Sequence, residues 1–317
     1  MEAAQRRELS PSGLLAEALR SSAGPICVTG ATGWFGRTTL EMISVGLGPE
    51  ALARVRAYGS RPNEIRLDSG ATVPIRPFSW VLEDPAPSVV FHYAYLTKDR
   101  VSQTEPDAYL ATNLSLTATM LSLLDRHRPE VFITASSGAA KGYAGASGYD
   151  FALNPYGSLK RLDELAFLQA AHEFGLRCAI PRVYSVAGPW MTKASEYALG
   201  GMISMARAGG PIEISAVRRV FRSYCGVDEV IALATWAAQH RPPLVFDTGG
   251  DTVEMSDLAQ AVSETVGQAC PIRRLQFDAD AQADRYVGDP RIFNELTNES
   301  GLRLKSLREL VATTADH

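Results

Sequence analysis

Positive charge is what this 317-residue sequence is short of: 31 lysines and arginines stand against 35 aspartates and glutamates, a formal net charge of −4. No basic field is present to draw a phosphate backbone, so nucleic acid is not an expected partner. Cysteine is scarce as well. Cys27, Cys178, Cys225 and Cys270 stand far apart with no C-x-x-C spacing, which argues against a disulfide framework or a zinc cluster. Small core residues in a reducing cytosol are expected, and no metal. No segment approaches the apolar length of a membrane span, and the leader MEAAQRRELSPSGLLAEALRSSAG carries charge throughout instead of a signal peptide's apolar block. A soluble cytoplasmic protein without a membrane partner follows as the expectation. Residues 1–24 read as an extension with one short helix, SGLLAEALR, capped by Ser12 and lying on the outside of the fold.

Repeats, low-complexity tracts and Pro- or Ser-rich linkers are also missing. What is present is alternation. From Pro25 onward, ICVTG, RVRAYGS, SVVFHYA, VFITASS and RCAIPRV read as strands, with WFGRTTLEMI, AYLATNLSLTATMLSLLDRH and PYGSLKRLDELAFLQAAHEF as helices between them. Such alternation predicts an α/β protein with a doubly wound parallel sheet, the Rossmann arrangement, covered on both faces. After about Gly188 the regularity weakens toward a smaller mixed C-terminal lobe. The dinucleotide-binding part is placed at 25–187 with parts of 225–250, and a substrate lobe at 188–224 and 251–317. Ligands of such folds sit at the carboxyl ends of the strands.

VTGATGWFGR sets Gly30, Gly33 and Gly36 directly after the first strand and at the opening of the first helix of the sheet. Glycines there permit a tight turn, close approach of backbone N–H groups to a pyrophosphate, and tight helix-on-strand packing. An acid about twenty residues further on would hold the ribose hydroxyls of NAD. None occurs between Ala51 and Asn63. Ser60 and Arg61 stand there instead, a hydroxyl and a forked cation suited to a 2′-phosphate, which favours NADP over NAD.

Tyr156 and Lys160, in NPYGSLKRLDE, are four residues apart and share a helix face. A neighbouring ammonium favours the phenolate, so the spacing predicts a Tyr156 pKa lowered from about 10 toward working pH and a role in proton transfer at a carbonyl or alcohol carbon. Lys160 is also placed to hydrogen-bond a nicotinamide ribose.

Together TGATGWFG, HYA, TNLSLT, SSGAAKG, PYGSLK, IPRVYSVAGP, FRSY and VDEVIALA resemble, in that order, the extended short-chain dehydrogenase/reductases of the nucleotide-sugar epimerase, dehydratase and reductase branch. The resemblance implies Ser137 as the hydroxyl that holds a substrate oxygen beside Tyr156, with Asn113 supporting the site. It implies Gly30, Ala31, Thr32, Gly33, Trp34, Phe35 and Gly36 along the pyrophosphate, and Ala94 beside the cofactor. On the substrate side it implies Ser136, Tyr95 and Ser185, and Arg222 as a grip on a nucleotide diphosphate. A homodimer, built from the helices NLSLTATMLSLL and SLKRLDELAFLQAA, is expected.

This chain departs from the family where 4,6-dehydratases carry an acidic pair after a threonine: here Gly138 and Ala139 follow Ser137. Elimination of water needs a base and an acid, so dehydration is not expected. Lys141 replaces a usual tyrosine, Ser185 an asparagine, and Tyr95 a small residue. Lys98, Lys141, Arg218 and Arg219 are candidates for an additional anionic group on the substrate. Three outcomes remain: reduction of a 4-keto nucleotide sugar, set narrowly first by Arg61 and the absent acid; 4-epimerisation with tightly held NAD; and cofactor binding without turnover.

Overall fold

Ile26, Cys27, Val28 and Thr29 are buried at all four positions, as they must be in a strand covered on both faces. The structure is a computed structural model that describes residues 8–143, 145–266 and 270–317; residues 1–7 of the N-terminal extension lie outside the described residues. Its first helix, α1 (Pro11–Leu19), precedes β1 (Ile26–Thr29), α2 (Trp34–Leu47), β2 (Val55–Gly59), β3 (Asn63–Arg66), β4 (Thr72–Pro77) and β5 (Val89–His92). Next come α3 (Pro106–His127), β6 (Val131–Thr134), the short β7 (Ser136–Ser137) and α4 (Pro155–Phe174). Strands Arg177–Val183 and Leu244–Asp247 extend the sheet, which runs Leu244–Asp247, Arg177–Val183, β6, β5, β1, β2, β4, β3. Only the β3–β4 hairpin is antiparallel among these pairs.

β1 lies between β2 and β5, so the chain order reverses on either side of it. That reversal opens a crevice at the carboxyl ends of β1 and β5, where α/β proteins bind ligands. The two-residue period sorts the core. Ile26, Val28, Val89, Phe91, Val131 and Ile133 face α1, α2 and the helix Val227–His240. Cys27, Val90 and Phe132 face α3 and α4, with Met120, Leu124 and Phe167. Cys178 lies in this second layer, and burial pushes its thiol up to about 12, which leaves it inert.

The leader helix differs from its expected place outside the fold. Ser10, not Ser12, caps it by accepting from the Gly13 N–H at 3.2 Å, and Pro11 occupies the first turn, where its missing N–H costs nothing. Leu14, Leu15 and Leu19 are fully buried. Gly46 of α2 lets the two helices meet, since a Cβ there would strike the Ser12 carbonyl. Three leucines on one face of nine residues give the helix enough apolar area to join the core.

The C-terminal residues build a second sheet from Ser185–Ala187, Val220–Gly226, Asp251–Glu254 and Asp284–Tyr286, backed by a separate apolar cluster around Leu199, Ile203, Leu258, Val262 and Leu310. Phe293, Leu296 and Leu302 return to pack into the core under the parallel sheet. Replacement Leu15→Ala should lower the unfolding free energy by about 2–5 kcal/mol, the range for a buried leucine. Urea unfolding measures it, and a loss below about 1 kcal/mol would return α1 to a surface appendage.

Candidate active site

The turn from β1 into α2 is built by contact between main chains. Gly30 has φ +65°, and a Cβ on it would sit 2.5 Å from the Tyr93 carbonyl carbon. At Gly36 a Cβ would run into the Gly30 carbonyl. Gly33 caps α2 without a side chain, and no acid stands in the first turn, so N–H groups and the positive helix end face the crevice. A pyrophosphate fits this cradle, and a side chain at Gly30 or Gly36 would deform it. Trp34 meets the segment that follows Gly188. Its Nε1 donates to the Pro189 carbonyl at 2.7 Å and its ring meets Tyr197 edge-on at 5.5 Å. Phe35 packs on Tyr93. Thr32 lies beside Gly59 at the end of β2, and Ser60 and Arg61 are both exposed just beyond it.

Thr29 fixes the opposite wall. Its hydroxyl accepts from the Tyr93 and Ala94 N–H groups at 3.2 and 3.3 Å and lies 2.7 Å from His92 Nδ1. Burial, with Lys160 nearby, lowers His92 to about 3, so its ring is neutral.

β7 and α4 bring together Ser137, Tyr156 and Lys160. The Ser137 hydroxyl accepts from Ala139 N–H at 3.2 Å and lies 3.3 Å from the Tyr286 hydroxyl, with Tyr156 of α4 close enough to feel it. The expected lowering of the Tyr156 pKa is not met. Burial pushes the phenol up and Tyr286 adds to it, with Ser137 opposing. Lys160 is drawn elsewhere, donating to the Ala135 carbonyl at 2.9 Å with its Nζ 3.5 Å from the Tyr95 ring centroid. In this arrangement Tyr156 carries its proton. Asn113 does not reach the three: its side chain accepts from the Leu96 N–H at 2.9 Å and holds the segment that bears Tyr95.

Ser136 is a correction to its expected place against substrate. Its hydroxyl is buried and donates to Glu164 Oε1 at 2.6 Å. Glu164 also takes both arms of Arg182, each at 2.7 Å, and one of Arg161 at 2.8 Å. Arg182 reaches on to Asp247 at 3.3 Å, and Asp247 accepts from Lys141 at 3.0 Å, Tyr184 at 3.2 Å and the Asp289 N–H at 2.9 Å. Burial opposes the Asp247 charge, but these donors hold its carboxyl below the ordinary range. Lys141 thus ends a buried polar chain.

On the substrate side, Arg222 pairs with Asp284 at 2.9 Å and donates to the Phe221 carbonyl at 2.8 Å. Ser185 is half-buried on a strand of the second sheet, in register with Tyr224. Arg218 and Arg219 are exposed, and their backbone carbonyls bond Arg274 and the Asp284 N–H. Tyr286 went unrecognised in the sequence, lying 149 residues beyond the serine it meets. Glu164 carried a signal: it stands eight residues after Tyr156 on the same helix, an acid on a face that has to be buried.

The description "NAD dependent epimerase/dehydratase family" matches residues 26–249, and the chain belongs to that family. A protein described as a probable UDP-glucuronate 4-epimerase from Rhizobium meliloti (strain 1021) is 26% identical over 226 residues, 68% of this chain. That stretch spans 64% of the relative's length, less than two thirds. Among solved structures, MoeE5 in complex with UDP-glucose and NAD is 23% identical, with a TM-score of 0.69, over 92% of this chain and 98% of its own. The UDP-N-acetylglucosamine 4-epimerase from Methanobrevibacter ruminantium M1, in complex with UDP-N-acetylmuramic acid, is 18% identical, with a TM-score of 0.71, over 92% and 97%. Both likenesses are of fold.

The two ends of the polar chain should differ in weight. Glu164→Ala removes both of the short bonds to Arg182, leaving Asp247 at 3.3 Å as its remaining carboxylate, and should cost about 3–5 kcal/mol, whereas Lys141→Ala, at a lysine half open to solvent, should cost about 0–1 kcal/mol. Denaturant unfolding of the two variants compares them directly.

Proposed function

We propose that this protein is an NAD-dependent epimerase that inverts one secondary hydroxyl of a nucleotide-activated sugar. The observation that carries this reading is the convergence of Ser137, Tyr156 and Lys160 beside the glycine cradle, in a chain of the epimerase/dehydratase family. Backbone of Gly30 to Phe35 would hold the dinucleotide, which supplies the acceptor and donor of a hydride. The chain's own residues handle the proton. Ser137 orients the sugar oxygen, and Tyr156 takes the proton from it and later gives it back. Burial by itself keeps Tyr156 protonated; on this reading the positive charges of Lys160 and of the oxidised nicotinamide would together favour the phenolate once the dinucleotide is bound.

An epimerase keeps its cofactor through the cycle, and one segment of this chain favours that reading over net reduction. Residues 189–197 cross the start of α2: Pro189 is bonded by Trp34, Tyr197 packs on the same ring, and Lys193 is ion-paired with Asp99 beyond β5. A strap of this kind suits a dinucleotide that stays bound through the cycle. Dehydration is not the reading adopted, because Gly138 and Ala139 stand where 4,6-dehydratases carry an acidic pair; Asp150, an acid further along, has its Oδ1 accepting from the Ala152 and Leu153 N–H groups at 3.1 and 3.0 Å. A second reading, NADPH-dependent reduction of a 4-keto sugar, rests on Ser60 and exposed Arg61 in place of a ribose-binding acid. A homodimer is part of the proposal, since Leu114 of α3 and Leu162 and Leu165 of α4 leave apolar side chains in the open.

The purified protein should carry NAD and convert UDP-glucuronate or UDP-glucose to its 4-epimer with no net change in nicotinamide absorbance. Tyr156→Phe should retain the cofactor and lose about 10²–10⁴ in kcat. Net oxidation of NADPH on a 4-keto sugar would establish the reductase instead, and cofactor binding with no turnover, indifferent to Tyr156→Phe, would leave a non-catalytic binder. Light scattering should give twice the mass of one chain; a single-chain mass would assign those leucines to another role.

A further inference from the structure

Lys160 is held by a set of residues that the proposed chemistry does not itself use. Its side chain is only 9% exposed, and its Nζ lies 2.9 Å from the Ala135 carbonyl, 3.5 Å from the Tyr95 ring centroid and 4.0 Å from Asp163 Oδ2. Asp163 follows one turn along α4 and is itself buried, with Oδ1 accepting from the Thr117 hydroxyl of α3 at 2.6 Å. Asn113 and Tyr109, also on α3, both bond the backbone of Leu96, at 2.9 and 2.8 Å, and so fix the residue next to Tyr95. One helix therefore positions both the ring and the carboxylate that flank the ammonium.

A buried ammonium has lost its water, and this one regains three partners: a carbonyl dipole, the negative face of a ring, and a carboxylate. We propose that Tyr95 and Asp163 are positioning residues that keep Lys160 an ammonium and fix where its charge sits, and that they thereby set the alkaline limit of the reaction. The inference rests on the reading of Lys160 as the cation that serves Tyr156.

The other groups around Lys160 do not replace this pair. His92 on β5 is neutral, and Tyr109 on α3 and Tyr156 on α4 are phenols pushed upward by burial. Glu164 divides its charge among Arg182, Arg161 and Ser136. Ser137 is neutral. Burial lowers Lys160 to about 8, and the opposing pull comes first from Asp163 and then from Glu164. The ammonium is the form present below that value. Removing the Asp163 charge lowers proton affinity further, so the ammonium disappears at a lower pH.

The test is an NMR titration of the full chain labelled with ¹³Cε-lysine, the Lys160 resonance being identified by its absence in Lys160→Met. Asp163→Asn should weaken proton binding at Lys160 by about tenfold, one unit on the titration. The alkaline limb of kcat should move down with it. Tyr95→Leu should shift the midpoint the same way, while Tyr95→Phe, which keeps the ring, should restore the original midpoint. An unmoved midpoint in folded Asp163→Asn overturns the proposal. If that variant does not fold, Tyr95→Leu against Tyr95→Phe decides, and equal midpoints for the two overturn it. The titration needs no substrate, so absence of turnover in the unaltered protein would defeat the epimerase reading without touching this result.

Discussion

The two-armed contact between Arg182 and Glu164 is the constraint on which the site depends. Both nitrogen–oxygen distances are 2.7 Å, and the glutamate side chain is 1% exposed. A forked cation meeting a carboxylate in this way fixes relative orientation as well as distance. Here it fixes α4, which carries Tyr156 and Lys160, against the strand Arg177–Val183. Ser136, bonded to the same carboxylate, brings β7 and thus Ser137 into the same frame. Replacing such a pair by apolar groups is often neutral for stability, whereas a loose α4 would move a phenol relative to its serine. The contact earns its place through geometry.

Much of the frame could be read from the sequence because its signals are local. Strand and helix periods need only a window of residues, the Gly30–Gly33–Gly36 spacing describes one turn, and Tyr156 and Lys160 share a helix face by arithmetic. What escaped reading depends on partners remote in sequence. Ser136 and Ser137 are adjacent and both buried, and only the positions of Glu164 and Tyr286 separate the hydroxyl tied to a carboxylate from the one that meets a phenol. Lys141 stood as a candidate for an anionic group on the substrate until the fold delivered Asp247, 106 residues later. The leader helix looked dispensable because its leucines are too few to signal a core without α2 and the helix Val227–His240 to receive them. Lys160 shows the same limit. Spacing predicts that it shares a face with Tyr156, but not that a carbonyl and a ring would draw its charge aside.

The strap over the start of α2 has the backbone of a constrained segment. Trp190 and Lys193 have φ +59° and +57°, two of the three non-glycine residues with positive φ among those described. Such conformations persist only where the surroundings hold them. Trp190 is held by Asp68, with Arg37 and His317 against its ring, and Lys193 is held by Asp99. Burial opposes the Asp99 charge, yet Lys193 and Thr97 keep its carboxyl below the usual value. Opening the strap would release the local strain but lose these contacts together with those of Trp34. The strap is therefore secured at several separate points.

The substrate side obeys a related rule with the opposite sense. Arg222 is satisfied by Asp284, and the Ser137 hydroxyl has Tyr286 as a neighbour. Both partners lie on the strand Asp284–Tyr286, which pairs with Val220–Gly226 so that Tyr286 stands in register with Arg222. On the proposed reading, an incoming diphosphate exchanges with a carboxylate at Arg222 and a sugar oxygen exchanges with a phenol at Ser137. An exchange of like for like contributes little net affinity, because a bond is lost for each one made. Affinity must then come from contacts with no internal counterpart, and the two exchanges serve to require that both ends of the ligand be present. A fragment carrying only the diphosphate or only the sugar displaces one group from a strand that the other still holds. On that reading, selectivity for the whole molecule would be a property of the strand that links the two sites.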